Sequence, residues 1–340
     1  MVNPDAPLAV FGDTVATDLQ EVSHDPSVLD GAGWWAVVAT YEGELTFARF
    51  GHVARGAEVP SAPWVGPSCD TWTSSLDERE YVAAVESIRE SIARGDVYQA
   101  NVCRVMSAPL PDVEHAHVLG LHALLRQGNP APYAGLVHLP DHDIAVTTAS
   151  PELFLRRTGE LIESGPIKGT APTADELLDK DTAENVMIVD LVRNDLSRVA
   201  VTGSVEVPHL LALEEHPGLV HLVSTVSAQL RPGTTWSDII DATFPPGSVT
   251  GAPKSSAVRL LAELETAPRG PYCGAIGWVD ADNHRAELAV GIRTFWIESG
   301  LLKFGTGAGI TWGSDPHHEW EETQLKARRL LTVASGTWQG

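Results

Sequence analysis

The stretch GPYCGAIGWVDADNHRAELAVGIRTFWIESGLLKFGTGAGITW, residues 270–312, decides the fold class. It reads as a meander of strands rich in β-branched and aromatic residues, with no helix-length segment between them for a parallel crossover. Working outward, GWWAVVATYEGELTFARFG (33–51) reads as a hairpin turning at Glu42-Gly43, and DIAVTTASPELFLRRTGELIESGPIKGTA (143–171) as three strands. GSVEVPHLLALE (203–214) and HLVSTVSAQLR (221–231) add strands by β-branched content. Helical patterns fall between these meanders. SLDEREYVAAVESIRESIARG (75–95) carries an apolar stripe of Tyr81, Val85, Ile88 and Ile92, with Ser75 and Glu78 as a capping box and Gly95 as C-cap. HVLGLHALLRQG (117–128), TAENVMIVDLVRNDLSRVA (182–200), WSDIIDATF (236–244) and the end of FPPGSVTGAPKSSAVRLLAELE (244–265) are also helical. The last helix, SDPHHEWEETQLKARRLLTVA (314–334), has Asp315 as N-cap and Pro316 at its first position. Strand meanders with helices between them predict an α+β fold, not a doubly wound parallel sheet.

The 340 residues, 43% hydrophobic and 20% charged, are ample for a large core. The formal net charge of −22 disfavours nucleic acid and anionic membranes. An anionic small molecule would need local cations or a metal bridge. Cys69, Cys103 and Cys273 are far apart with no C-x-x-C pair, which predicts reduced thiols and a cytoplasmic protein. The first residues show neither the basic nor the apolar region of a signal peptide.

Several polar residues stand out. Glu184, Ile188, Leu191 and Asp195 share a helix face, so two carboxylates lie on one stripe; solvation of the first turn would explain Glu184 equally well. Glu319, Glu322 and Lys326 share a face of the last helix, where a surface Glu–Lys pair is the plainer reading. His317 and His318 lack zinc-site spacing. Arg293 in VGIRTFW reads as mid-strand among apolar residues, a costly place for a charge unless it meets an anion. FGTGAGI matches no nucleotide loop, but its glycines let backbone N–H groups approach a carboxylate. Lys168 sits in a Pro-Ile-Lys-Gly-Thr turn, where most lysines are simply solvated.

Eight motifs in order change that balance: GDVYQANVCR, SPELFL, PIKGTAP, AENVMIVDLVRNDLSRV, HLVSTVSAQL, FPPGSVTGAPK, GIRT and GAGITWGSDPHHEWEET. Together, over about residues 75–335, they resemble the chorismate-utilising enzymes, and within them the synthase components of aminodeoxychorismate formation. The resemblance implies a four-layer α/β/β/α sandwich with two largely antiparallel sheets. Residues 75–335 would form the catalytic domain, and residues 1–74 a shortened N-terminal segment adding strands to the same fold. It implies that chorismate, a dicarboxylate, binds with Mg²⁺ held by Glu184 and Glu322, which meets the charge condition set above. Lys326, Arg293 and the backbone of Gly307, Ala308 and Gly309 would hold substrate carboxylates, with Thr250 and Gln99 also at the substrate.

By the same resemblance Lys168 is a nucleophile at C2 of the ring. Glu152 is the general acid for the departing C4 hydroxyl, and His221 a supporting polar group near it. Ammonia then attacks C4 and expels the lysine. The attacking amine must be neutral, and Glu152 must hold its proton near neutral pH, which requires a raised pKa. Related anthranilate synthases carry alanine where Lys168 stands. Isochorismate and salicylate synthases carry a lysine base where Gln99 stands, and a glutamine cannot deprotonate water. Thr173 replaces an arginine common in the family, and Ala308 a common glycine. No glutaminase nucleophile is legible in the chain, so a separate glutamine amidotransferase would supply ammonia, with 4-aminobenzoate and folate as the downstream use. Anthranilate synthase component I and a non-catalytic chorismate-binding paralogue are the competing readings.

Overall fold

The computed structural model describes residues 5–60, 62–113, 116–171, 173, 175, 179–216 and 219–337. Pro172 of the PIKGTAP motif lies outside them. Among the described residues, eighteen strands and six α-helices follow the meander-and-helix order expected from the sequence. The strands are β1 (Leu8–Phe11), β2 (Thr14–Ser23), β3 (Trp34–Ala39), β4 (Leu45–Arg55), β5 (Thr73–Ser74), β6 (Gln99–Pro109), β7 (Tyr133–Leu139), β8 (Ile144–Ser150), β9 (Leu153–Thr158), β10 (Leu161–Gly165), β11 (Ile167–Ala171), β12 (Glu206–His216), β13 (Leu219–Gln229), β14 (Gly251–Ala252), β15 (Ala275–Asp280), β16 (Arg285–Val290), β17 (Thr294–Glu298) and β18 (Leu301–Ile310). The helices are α1 (Glu78–Arg94), α2 (Val118–Gly128), α3 (Asp179–Ser197), α4 (Trp236–Thr243), α5 (Lys254–Leu264) and α6 (Pro316–Ala334). No helix among the described residues is long and apolar enough to cross a membrane.

The described strand pairings are all antiparallel and form one hydrogen-bonded network. Two arms branch from β4. One runs β2, β1, β7, β8, β17, β18, β6. The other runs β3, β15, β16, β9, β10, β13, with β11 and β12 both on β13. The α+β class therefore holds, but the two expected sheets are continuous through β4 as one curled surface. Side chains from both arms meet in one apolar core: Val105, Val137 and Val146 of the first with Val37, Phe154, Ile276 and Leu288 of the second. Helices α1, α2, α5 and α6 pack on strands of the first arm, and α3 packs on β11, β12 and β13 of the second.

Three local expectations shift. Helix α1 is capped by Asp77 with Glu80, not by Ser75 with Glu78. Ser75 is committed to β6, where its hydroxyl and its N–H bond to the backbone of Val105, so the helix starts later. Residues 143–171 form four strands, because Pro166 separates β10 from β11. Arg293 is not mid-strand; it sits between β16 and β17 with φ of 53°. The last helix is capped by Asp315, whose carboxylate accepts from the N–H groups of His317 and His318, with Pro316 at its start.

Candidate active site

β11 brings Lys168 to the site through an irregularity in its ladder with β13. Ile167 faces Val223 and Thr170 faces His221, so Lys168 and Gly169 are an out-of-register pair between them. Such a bulge re-aims a side chain. Gly169 takes φ of 85°, a conformation other residues adopt at a cost, which explains the glycine after the lysine. The Lys168 ammonium donates to the carbonyl of Ser248 at 3.2 Å. His221, buried on β13, lies opposite Thr170 on one side and Glu214 of β12 on the other.

Glu152 stands between β8 and β9 and is 4% exposed. Its backbone is fixed by Ser150 and Val290: its N–H donates to Ser150 Oγ at 3.2 Å and its carbonyl accepts from Val290 N–H at 3.0 Å. Burial pushes its carboxyl from the ordinary 4.5 to about 7, against the opposing pull of the Ser248 hydroxyl, the Lys168 charge and the Ile167 N–H. The dominant cause is desolvation of the charged form. Glu152 and Lys168 therefore meet around one residue, Ser248. Beside them a cavity of ≈ 20 Å³ is lined by Glu152, Ser164, Asp195, Thr243 and Ser248, room for about one water.

Ser248 belongs to the FPPGSVTGAPK segment, a short 3₁₀ turn at Gly247–Val249 that leads into α5. Thr250 is fully buried and its hydroxyl donates to Pro246 and Gly247 carbonyls within the same turn. The start of α5 is tied to α3 by Lys254, whose ammonium meets Asp195 at 2.7 Å and the Thr243 carbonyl at 2.8 Å. Burial raises the Asp195 carboxyl and lowers the Lys254 ammonium from their ordinary values, with each partner's charge opposing that shift. Removing one member leaves the other as an uncompensated buried charge. Lys254→Met is expected to lose about 3 kcal/mol of stability in a denaturant melt. A loss below about 1 kcal/mol would show that the pair does not hold this turn.

A second group gathers around the start of β6. Gln99 is buried, and its Oε1 has no hydrogen-bond partner. A Cβ on Gly309 would come within 2.4 Å of Gln99 Nε2, so the glycine makes room for this amide. The glycine run is part of the strand meander, as the sequence suggests. Gly307, Ala308 and Gly309 lie in β18, opposite Cys103, Val102 and Asn101 of β6. A Cβ on Gly307 would lie 2.5 Å from the Val102 carbonyl, so close backbone approach excludes larger residues. β17 pairs with β18 only as far as Phe304.

Lys326 joins this group, donating to the Gly307 carbonyl at 3.2 Å and pairing with Glu322 at 2.6 Å on α6. Arg293 is half-buried, and among the described residues it makes no ion pair; burial and the nearby Arg329 push its guanidinium downward. A buried cation so placed favours an anionic ligand. Glu184, half-buried, projects from α3 beside Asn185. Asn185 pins that helix to β13, donating to the Leu222 carbonyl at 3.0 Å and accepting from Ser224 Oγ at 2.5 Å. Glu184 and Glu322 thus stand on two different helices. Thr173 is exposed. Ser248, Lys254 and Asn185 carry much of this arrangement yet were not singled out from the sequence. Ser248 and Lys254 lie inside the FPPGSVTGAPK motif, which was the available signal.

The chorismate binding enzyme family matches residues 46–332. An anthranilate synthase component 1 of Haloarcula marismortui is 38% identical over 292 residues, 82% of this chain and 58% of that protein. Aminodeoxychorismate synthase component 1 of Bacillus subtilis is also 38% identical, over 76% of this chain and 56% of its own. The chain therefore spans somewhat more than half the length of these curated relatives. Among solved structures, anthranilate synthase component I from Streptococcus pneumoniae superposes with a TM-score of 0.75 at 26% identity, covering 92% of this chain and 82% of that one. A putative 2,3-dihydroxybenzoate-specific isochorismate synthase from Bacillus anthracis gives a TM-score of 0.80 at 22% identity, over 99% and 98% of the two chains, and shares the fold. With its motifs in order and most of its length matched, the chain belongs to the chorismate-binding enzyme family.

Proposed function

We propose that this chain is the synthase component that converts chorismate and ammonia to 4-amino-4-deoxychorismate. The observation that carries the reading is the meeting of Lys168 with the buried carboxyl of Glu152 at Ser248. Lys168 attacks C2, both conjugated ring double bonds shift toward C4, and Glu152 gives its proton to the C4 hydroxyl, which leaves as water. Ammonia then attacks C4, both double bonds shift back, and the C2–nitrogen bond to Lys168 breaks. One difficult substitution becomes two easier ones. Arg293, Lys326 and the Gly307–Gly309 segment of β18 hold the substrate carboxylates. His221 supports the leaving hydroxyl, and Gln99 leaves no base to activate water at C2.

Glu184 and Glu322 are hard oxygen donors that suit Mg²⁺. That ion takes one or two protein carboxylates and completes its shell with water and substrate. When bound, Mg²⁺ would neutralise substrate carboxylate charge near an acidic protein. Glu322 would then exchange its pairing with Lys326 for the metal, freeing the lysine for substrate. A glutamine amidotransferase subunit supplies ammonia, and the product serves 4-aminobenzoate formation. We read the two arms of the sheet with their outer helices as the layers of an α/β/β/α sandwich.

A second reading, anthranilate synthesis, is favoured by the names of several relatives at similar identity. The two are separated by incubating the purified chain with chorismate, Mg²⁺ and ammonium, with and without an added aminodeoxychorismate lyase. 4-Aminobenzoate that depends on the lyase supports the proposal. Anthranilate formed without lyase would replace it with the second reading.

A further inference from the structure

We infer that Arg269 is a positioning residue for the Lys168 amine: its guanidinium ties the turn whose carbonyl holds Lys168 to the strand that runs beside the substrate segment of β18. The inference rests on the assignment of Lys168 as nucleophile. Arg269 lies in the connection between α5 and β15 and is 1% exposed. Its Nη1 donates to the Val249 carbonyl at 2.9 Å, and its Nη2 to the Asn101 carbonyl at 2.6 Å. Val249 directly follows Ser248, whose carbonyl accepts from Lys168 at 3.2 Å. Asn101 follows Gln99 and Ala100 on β6 and lies opposite Gly309 of β18. One planar group thus joins the nucleophile side of the site to the side that holds the substrate carboxylates.

The Gly247–Val249 turn does little to hold itself. Among the described residues no side chain caps its start. Its own backbone bonds, Val249 N–H to the Pro246 carbonyl and Thr250 N–H to the Gly247 carbonyl, are both 3.3 Å long, at the weak end for such bonds. The short bonds come from outside: from Arg269, and from the Asn101 N–H, which donates to the Thr250 carbonyl at 2.8 Å. Arg269 is itself aimed from several directions. Glu265 takes its Nε at 2.8 Å and its Nη2 at 2.6 Å, and also accepts the Cys103 N–H of β6 at 2.9 Å. The Tyr41 ring lies 4.0 Å from the guanidinium carbon, and Glu42 accepts the Arg269 N–H at 2.7 Å. A stabilising ion pair would need only Glu265. The two carbonyl bonds go further, to the turn and the strand that set where the Lys168 amine stands relative to the ring. A displacement on the order of 1 Å between them is enough to take the amine out of attack geometry. A lysine at this position could keep the charge beside Glu265, but a single ammonium lacks the fork that reaches both carbonyls.

The test is Arg269→Lys, mixed with chorismate and Mg²⁺ in the absence of ammonia. The rate at which the Lys168 adduct appears is followed by rapid quench and peptide mass, over a range of chorismate concentrations. The expected result is a maximal rate lowered by at least about tenfold, with the half-saturating chorismate concentration changed less than about threefold. Steady-state kcat and KM with ammonium should divide in the same way. Loss of packing alone would not produce that division, because Arg293 and Lys326 still bind the substrate. If Arg269→Lys does not fold, Glu265→Gln carries the test: it removes one of the two acceptors that aim the guanidinium and should slow adduct formation in the same direction. A folded variant that melts earlier but forms the adduct at the parental maximal rate would make Arg269 a stabilising group only and would overturn the inference. A loss confined to the half-saturating concentration would overturn it as well. The parent chain separates this failure from failure of the reading above. If the parent forms no adduct on Lys168, the nucleophile assignment falls and takes the inference with it. If the parent forms the adduct and the folded variant forms it equally fast, Arg269 alone is removed.

Discussion

Lys168→Ala is expected to fold normally and to lose C4 amination by at least about a thousandfold in kcat. Among the described residues Lys168 makes one hydrogen bond, to the Ser248 carbonyl, and it is half-buried beside a bulge that Gly169 makes possible. Its removal leaves no buried acceptor stranded, because the carbonyl it serves sits next to a cavity large enough for water. The chemical loss is of a different size. Without the amine there is no adduct at C2, and direct displacement of the C4 hydroxyl is left uncatalysed in its first half. Substrate binding should change far less, since Arg293, Lys326 and β18 are untouched. The check is kcat and KM for chorismate consumption together with a thermal melt. A variant with more than a tenth of parental kcat would remove the lysine from the mechanism.

Glu152→Gln should lower kcat by about a hundredfold or more, since glutamine cannot deliver a proton to the departing hydroxyl. The parent enzyme should show a kcat that falls as pH rises through about 7, where the acid loses its proton. Stability moves the opposite way. The folded value of Glu152 lies above its ordinary 4.5, so the stability contributed by the neutral acid is fully present below about 4.5 and is lost as pH rises through about 7. A shift from 4.5 to about 7 corresponds to a penalty on the order of 3 kcal/mol once the buried carboxylate is ionised. The glutamine variant escapes it. At pH 8.5 it should unfold at higher denaturant concentration than the parent, and at pH 4.5 the two should nearly coincide. A variant that is both slower and less stable at high pH would show that Glu152 is held as a carboxylate for structural reasons. The pairing of lower activity with higher stability is the signature of a functional group kept in an unfavourable setting.

Much of the fold was legible because its signals are local. The 34–50 hairpin, the apolar stripe of α1 and the Asp315–Pro316 start of α6 depend on residues within a few positions of one another. What escaped the sequence depended on partners distant in the chain. Ser75 looks like a helix cap until β6 claims its hydroxyl through Val105, thirty residues on. The 307–309 glycines read as strand, but nothing local shows that β6 runs alongside and that Val102 and Gln99 occupy the space of their missing side chains. Arg293 looks like a strand residue because a positive φ at arginine is rarely written into neighbouring residues. The candidate site divides in the same way. Lys168 and Glu152 are recognisable by motif, but that they meet at Ser248, eighty residues further along, is a fact of the tertiary structure. Likewise, Glu322 and Lys326 were a readable helical pair, whereas the bond from Lys326 to the Gly307 carbonyl was not.

The central claim is a covalent bond between Lys168 and the substrate ring. The most direct measurement is mass spectrometry of the chain mixed with chorismate and Mg²⁺ in the absence of ammonia, quenched at short times and digested. The account predicts a peptide spanning Lys168 that carries the mass of chorismate less one water, absent from Lys168→Ala and discharged when ammonium is added before the quench. Product formation at the parental rate with no modified Lys168 peptide at any time, or an adduct on a different residue, would contradict it.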